Sequence, residues 1–266
     1  MSSPRFLVRA VNWVGDAVMT LPALRALREA HPEAVIDVLA PGAVAGVYRR
    51  EPGLGILPAK RRPRLKALME NVRTASRGRY DAGILFTNSF STAAELFTAR
   101  LPRRIGYARD ARARLLTDSI TVPEEGTIPV HERYYYLNLL SQAGLLPAVP
   151  EVPFVSLGGL EGAAGRGRAA MEAAGITGPF IGISPGATNS RAKQWPPDRI
   201  TAAAARLAGG LGGSVALFGT PAERQLCESI AAALREQGVP AFSFAGRTSL
   251  EEFIDMAAAC DLFLTN

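Results

Sequence analysis

Short apolar runs alternate with helix-period segments along the whole chain, and this alternation constrains the fold more than any other feature. Strands separated by helix-length connections run parallel, so the pattern predicts an α/β protein with parallel sheets wrapped by crossover helices. In the first half the expected strands are RFLVRA (5–10), AVIDVLA (34–40), YDAGILF (80–86) and DSITV (118–122). In the second they are PFIGIS (179–184), SVALFG (214–219), AFSFA (241–245) and DLFLT (261–265). A helix over 18–30 would turn Val18, Leu21, Leu24 and Leu27 inward, with Pro22 bending it. A second helix starts at Glu132, where Tyr134, Tyr135, Tyr136, Leu137, Leu139 and Leu140 read as packing residues.

A chain of 266 residues favours two modest domains. The Pro- and Gly-rich stretch 144–167, GLLPAVPEVPFVSLGGLEGAAGRG, precedes a fresh strand-helix series and places the boundary near Val155, giving domains 1–155 and 156–266. Two open α/β sheets in succession would leave a ligand cleft at their carboxyl ends. The last segment, MAAACDLFLTN, ends on a fourth strand. If that strand lies beside the first of its sheet, its outer edge is unpaired and apolar, so the second domain is expected to be truncated.

No apolar run approaches the ~20 residues of a membrane-spanning helix, and the N-terminus lacks a signal-peptide layout, so the expected location is cytoplasmic. Cys227 and Cys260 lack metal or disulfide spacing, and His31 and His131 alone cannot hold a metal, so no metal site is expected. The net charge of +6 is uneven: through Pro153 there are 21 Lys/Arg against 14 Asp/Glu, and beyond it 9 against 10. The first half would therefore attract an acidic partner.

NWVGDAVMTLPALRALREAHP (12–32) stands where a nucleotide-binding fold carries its glycine-rich turn, yet it offers Gly15 and Asp16. Asp16 at a helix start is either an N-cap or a general base beside a bound hydroxyl, and a phosphate would be repelled from it. Gly15 would allow close approach to the backbone, and Trp13 could wall the site or lie in the core. FIGISPGATNSRAKQWPPDRI (180–200) places Thr188, Asn189, Ser190 and Lys193 before a helix start, a set suited to a diphosphate. A Lys193 buried beside Trp195 would otherwise need an acidic partner.

GRGRAA (165–170) matches a dinucleotide fingerprint but follows no strand, so it reads as linker, and GLGGS (210–214) fails likewise. These failures exclude a nicotinamide oxidoreductase. LFGTPAERQ (217–225) puts Glu223 in a first helical turn near the cleft, and AGRTSLEEF (245–253) is a capping box with Thr248 or Ser249 as cap. Lys60, Arg61, Arg62, Arg64 and Lys66, with Arg103, Arg104, Arg109, Arg112 and Arg114, form basic patches; Tyr107 is the one aromatic among these stretches, too few for nucleic-acid stacking.

The stretches NWVGDAVMTLPALRALREAHP, IDVLAP, TNSFSTA, RIGYARDARARLL, HERYYYL, PGATNSRAKQWP, LFGTPAE and DLFLTN together resemble the ADP-heptose lipopolysaccharide heptosyltransferases of glycosyltransferase family 9, with TNSF pointing to the type II branch. The resemblance implies a GT-B architecture of two Rossmann-like domains, acceptor on the first and nucleotide sugar on the second. It implies an inverting, metal-independent transfer without cofactor, in which Asp16 is the base and Lys193 offsets charge on departing ADP. Thr188, Asn189, Ser190, Glu223 and Thr248 would complete the donor site. Trp13, Lys60, Arg61, Arg62 and Arg64 would meet an acidic inner-core acceptor at the cytoplasmic face of the inner membrane, with no nucleic acid involved. The family continues past the last strand with a donor loop, so the donor half-site is expected to be incomplete. A GT-B nucleotide-sugar epimerase, or a non-enzymatic binder of anionic lipid or nucleic acid, are the alternatives.

Overall fold

The computed structural model describes residues 3–61, 64–187 and 191–266, without the side chains of Arg64 and Arg191. The chain divides into two compact units, Met1–Gly159 and Leu160–Asn266. Residues 156–159 thus belong with the first unit, beyond the expected boundary, because they are tied to it. Arg25 donates to the Ser156 carbonyl at 2.8 Å, and the Gly158 amide donates to Glu51 at 2.8 Å.

The first unit runs β1 (Arg5–Arg9), α1 (Val14–Ala30), β2 (Val35–Pro41), α2 (Gly42–Arg49), β3 (Leu54–Ala59), α3 (Arg64–Arg77), β4 (Ala82–Leu85), α4 (Phe90–Thr98), β5 (Arg103–Tyr107), β6 (Asp118–Ile120) and α5 (Arg133–Gln142). Its strands form one parallel sheet in the order β3-β2-β1-β4-β5-β6. Leu21, Leu24 and Leu27 are fully buried as the helical period requires. The helix nonetheless starts earlier than expected, at Val14, and runs on past Pro22.

Two of these strands carry no clear apolar signature. β3 is an edge strand holding Pro58, whose missing N–H is tolerated there. β5 opens with Arg103 and Arg104, which are structural rather than a solvated patch. Arg103 pairs with Asp118 at 2.8 Å, and Arg104 donates to the Leu115 carbonyl at 2.7 Å and lies over the Phe97 ring.

The second unit runs α6 (Ala163–Ala173), β7 (Phe180–Ser184), α7 (Pro197–Leu211), β8 (Ser214–Leu217), α8 (Arg224–Glu236), β9 (Ala241–Ser243), α9 (Leu250–Ala259) and β10 (Leu262–Thr265), with sheet order β10-β7-β8-β9. GRGRAA is therefore not linker but the body of α6. Gly167 is buried where α6 crosses α9, and a Cβ there would reach within 2.8 Å of the Met256 Cα, so the glycine serves helix packing. The fourth strand does lie beside the first, as the edge of the sheet, and its Leu262 and Phe263 are partly exposed.

Candidate functional site

In the first unit the strand order reverses between β1 and β4, neighbours at the centre of the sheet. Ligands of open α/β sheets bind at the carboxyl ends of such a pair. The loop after β1 ends at Trp13, the extended N-cap residue of α1, which has no capping side-chain bond and is 46 % exposed, so it is not core. A Cβ on Gly15 would meet no atom of the described residues within 4 Å, so the backbone there is uncovered.

Asp16 sits in the first turn of α1 rather than at the cap, half-buried, and makes no hydrogen bond or ion pair among the described residues. Burial raises its pKa above the ordinary 3.8. Burial also raises the Tyr48 and Tyr136 hydroxyls, and the nearby Asp16 charge adds to both shifts. A carboxylate that caps nothing and is partly stripped of water is suited to taking a proton from a bound hydroxyl.

The loop after β4 holds TNSF. Ser89 caps α4 by accepting from the Thr92 amide, and Asn88 donates to the Tyr135 hydroxyl at 3.1 Å. Behind it lies Arg112, which is fully buried rather than part of a surface patch. Its guanidinium donates to the Tyr107 and Thr87 carbonyls and, at 3.2 Å, to Asn88 Oδ1. Burial lowers the Arg112 pKa to about 10, so it stays cationic at neutral pH. A pocket of about 360 Å³ opens beside it, lined by Asn88, Arg109, His131, Glu132 and Tyr135 among others. Lys60 and Arg61 are exposed after β3; Arg62 lies outside the described residues, and of Arg64 the backbone alone is described, at the start of α3.

In the second unit the reversal falls between β7 and β10. Thr188, Asn189 and Ser190 lie outside the described residues. Lys193 closes a short 3-10 turn, Arg191–Lys193, and is exposed, as is Trp195. The expectation of a buried lysine is therefore wrong, and no acidic partner is required of it.

Of the expected donor residues that are described, Glu223 is the most constrained. Its Oε2 accepts from the Thr220 amide at 2.7 Å and the Thr220 hydroxyl at 2.8 Å, completing a capping box. The side chain packs on Gly186 after β7, where a Cβ would collide with it, and on Gly219 after β8, where a Cβ would make a tight contact. Asn266, beyond β10, donates to the Pro185 carbonyl at 2.8 Å and accepts from the Trp195 amide at 3.0 Å, bracing the loop that follows β7. Ser249 with Glu252 is the capping pair of α9, which leaves Thr248, half-buried just before it, without a capping role. Asn88, Arg112, Gly186 and Asn266 were not legible as site residues, though each follows or faces a strand's carboxyl end.

The model of glycosyltransferase family 9 (heptosyltransferase) matches residues 68–266. The chain belongs to glycosyltransferase family 9. A lipopolysaccharide heptosyltransferase 2 from Salmonella typhimurium is 31% identical over 276 aligned residues, covering 98% of this chain and 77% of the relative. The structure of the Escherichia coli ADP-heptose lipopolysaccharide heptosyltransferase II matches with a TM-score of 0.81 at 26% identity, over 98% of this chain and 78% of that one. A family 9 glycosyl transferase from Veillonella parvula, at 21% identity and a TM-score of 0.82, covers all of this chain and 76% of its own, and shares the fold. As a family 9 member this chain is a glycosyltransferase of GT-B architecture, similar to the type II heptosyltransferases.

Proposed function

We propose that this enzyme moves heptose from ADP-heptose to the lipopolysaccharide inner core by a single inverting displacement without a metal ion. Asp16 takes the proton of the acceptor hydroxyl, the freed oxygen attacks the anomeric carbon, and the bond to the ADP oxygen breaks on the opposite face. The observation that carries this reading is the Asp16 carboxylate at the strand-order reversal of the first unit, partly desolvated and without a partner among the described residues.

Donor and acceptor identities draw support from the names of the relatives. Lys193, exposed and close in sequence to Thr188, Asn189 and Ser190, offsets the charge that grows on the diphosphate, and Glu223 and Thr248 hold the nucleoside. Trp13, Lys60, Arg61, Arg62 and Arg64 receive the acidic acceptor.

We place the enzyme peripherally on the cytoplasmic face of the inner membrane. No helix of the described residues is long and apolar enough to cross a membrane. The outward stripe of α3 combines exposed Leu65 and Met69 with Lys66, Arg73 and Arg77, as an interfacial helix does. The decisive experiment is transfer from ADP-heptose to a heptosylated inner-core acceptor in excess chelator, with the new linkage assigned by NMR. Full activity with inverted configuration is expected; retained configuration or loss in chelator overturns the mechanism, and hydrolysis or epimerisation of the donor without transfer overturns the assignment.

A further inference from the structure

Beneath the two loops assigned to the acceptor lies a buried polar cluster that the proposed chemistry does not use. Arg9 at the end of β1 is 3 % exposed, Glu95 on α4 6 % and Asn71 on α3 1 %. Arg9 Nε donates to Glu95 Oε2 at 2.8 Å, and its Nη1 donates to the Ala10 carbonyl at 3.1 Å, where the chain leaves for Asp16. Asn71 Nδ2 donates to Glu95 Oε1 at 2.7 Å and to the Lys60 carbonyl at 3.0 Å, while Asn71 Oδ1 accepts from the Lys60 amide at 2.8 Å.

The pairing of β3 with β2 ends at Ala59, and β3 is the edge of the sheet. Lys60 therefore has no strand on which to satisfy its backbone. The Asn71 side chain stands in for one, taking both the N–H and the C=O of a single residue and so fixing the direction in which Lys60 and Arg61 leave the strand. An amide alone offers a donor and an acceptor in one plane at that reach; aspartate would lose both donations and set a second negative charge against Glu95. The Glu95 charge is matched within the cluster by Arg9, so the cluster does not draw on the basic segment for its own neutrality.

We propose that Asn71, held by the Arg9–Glu95 pair, is a positioning residue that sets the start of the basic segment, Lys60 and Arg61, against the anionic acceptor. The inference rests on the reading of that segment as acceptor-binding. It is tested by steady-state kinetics of Asn71→Ala across a salt series, with ADP binding measured separately. The expected result is an acceptor KM raised about tenfold, the loss of one well-placed charged contact. Its salt dependence should be flattened, with kcat at saturating acceptor and ADP affinity within twofold of wild type.

A purely structural cluster would not move the salt dependence alone. Unchanged acceptor KM and salt slope, or kcat and ADP affinity falling together, overturns the proposal. Should Asn71→Ala not fold, Glu95→Gln is read the same way, and failure of both to fold assigns the cluster to stability and also overturns it. Absence of transfer by the wild-type enzyme would instead overturn the acceptor reading itself.

Discussion

Gly186→Ala tests the architecture of the donor half-site. The new Cβ would overlap Glu223 Oε1 and Cδ outright and come within 3.0 Å of Cγ, so rotating the carboxylate in place does not relieve the clash and the whole side chain must swing away. Swinging gives up both bonds from Thr220, which lie at an exposed helix start. Loss of such a cap costs about 1 kcal/mol, partly offset by the entropy a glycine-to-alanine change removes from the unfolded chain. The melting temperature should therefore fall by a few degrees at most.

Donor binding should suffer more. A hydrogen bond to a charged group is worth about 1.5–3 kcal/mol, so losing the nucleoside contact assigned to Glu223 should weaken ADP at least about tenfold. Titration calorimetry with ADP and a thermal melt distinguish the parts of the argument. Unchanged affinity with a lowered melting temperature would mean that Glu223 caps a helix and touches no ligand. No change in either would refute the packing of Glu223 against Gly186.

Two glycines two residues apart on α6 should answer oppositely. Gly165→Ala, with nothing near its Cβ, should stabilise by up to about 1 kcal/mol, whereas Gly167→Ala, pressed on the α9 backbone, should destabilise by about 2 kcal/mol or more in urea melts. Because folding raises the Asp16 pKa, the folded chain binds the proton more tightly and stability is lost as pH rises through the folded pKa. Asp16→Asn should accordingly melt slightly higher than wild type at pH 7, the gain shrinking toward pH 4; a lower melting temperature would show that the helix dipole outweighs burial. Replacing Leu65 and Met69 together by Ser should weaken sedimentation with phosphatidylglycerol vesicles about tenfold while leaving turnover on a soluble acceptor intact, and equal sedimentation would remove α3 from the membrane face.

The architecture was readable where burial on both faces makes strands plainly apolar, as in VIDVLAP or SVAL. It was not readable in β3 and β5, whose Pro58, Arg103 and Arg104 are accommodated by the sheet edge and by partners distant in sequence. The same limit governed α6: GRGRAA looks like linker until α9 supplies the surface that Gly167 fits.

Asp16 and Glu223 could be singled out because each follows a strand within a short loop. Whether Asp16 caps or catalyses could not be decided from spacing, since both require an acid at a helix start; the structure gives the cap position to Trp13, and Asp16 makes no hydrogen bond among the described residues. Arg112 hid among exposed arginines because a sequence gives no sign that three neutral acceptors will enclose one of them. Lys193 erred in the other direction, since neighbouring Trp195 turned out to be exposed rather than a cover for it.

The central claim is that Asp16 is the base, and the most direct measurement is kcat of Asp16→Asn at saturating donor and acceptor, with ADP affinity measured alongside. Loss of a general base should lower kcat about 10²–10⁴-fold with ADP affinity nearly unchanged. Retention of more than a tenth of wild-type turnover would contradict it.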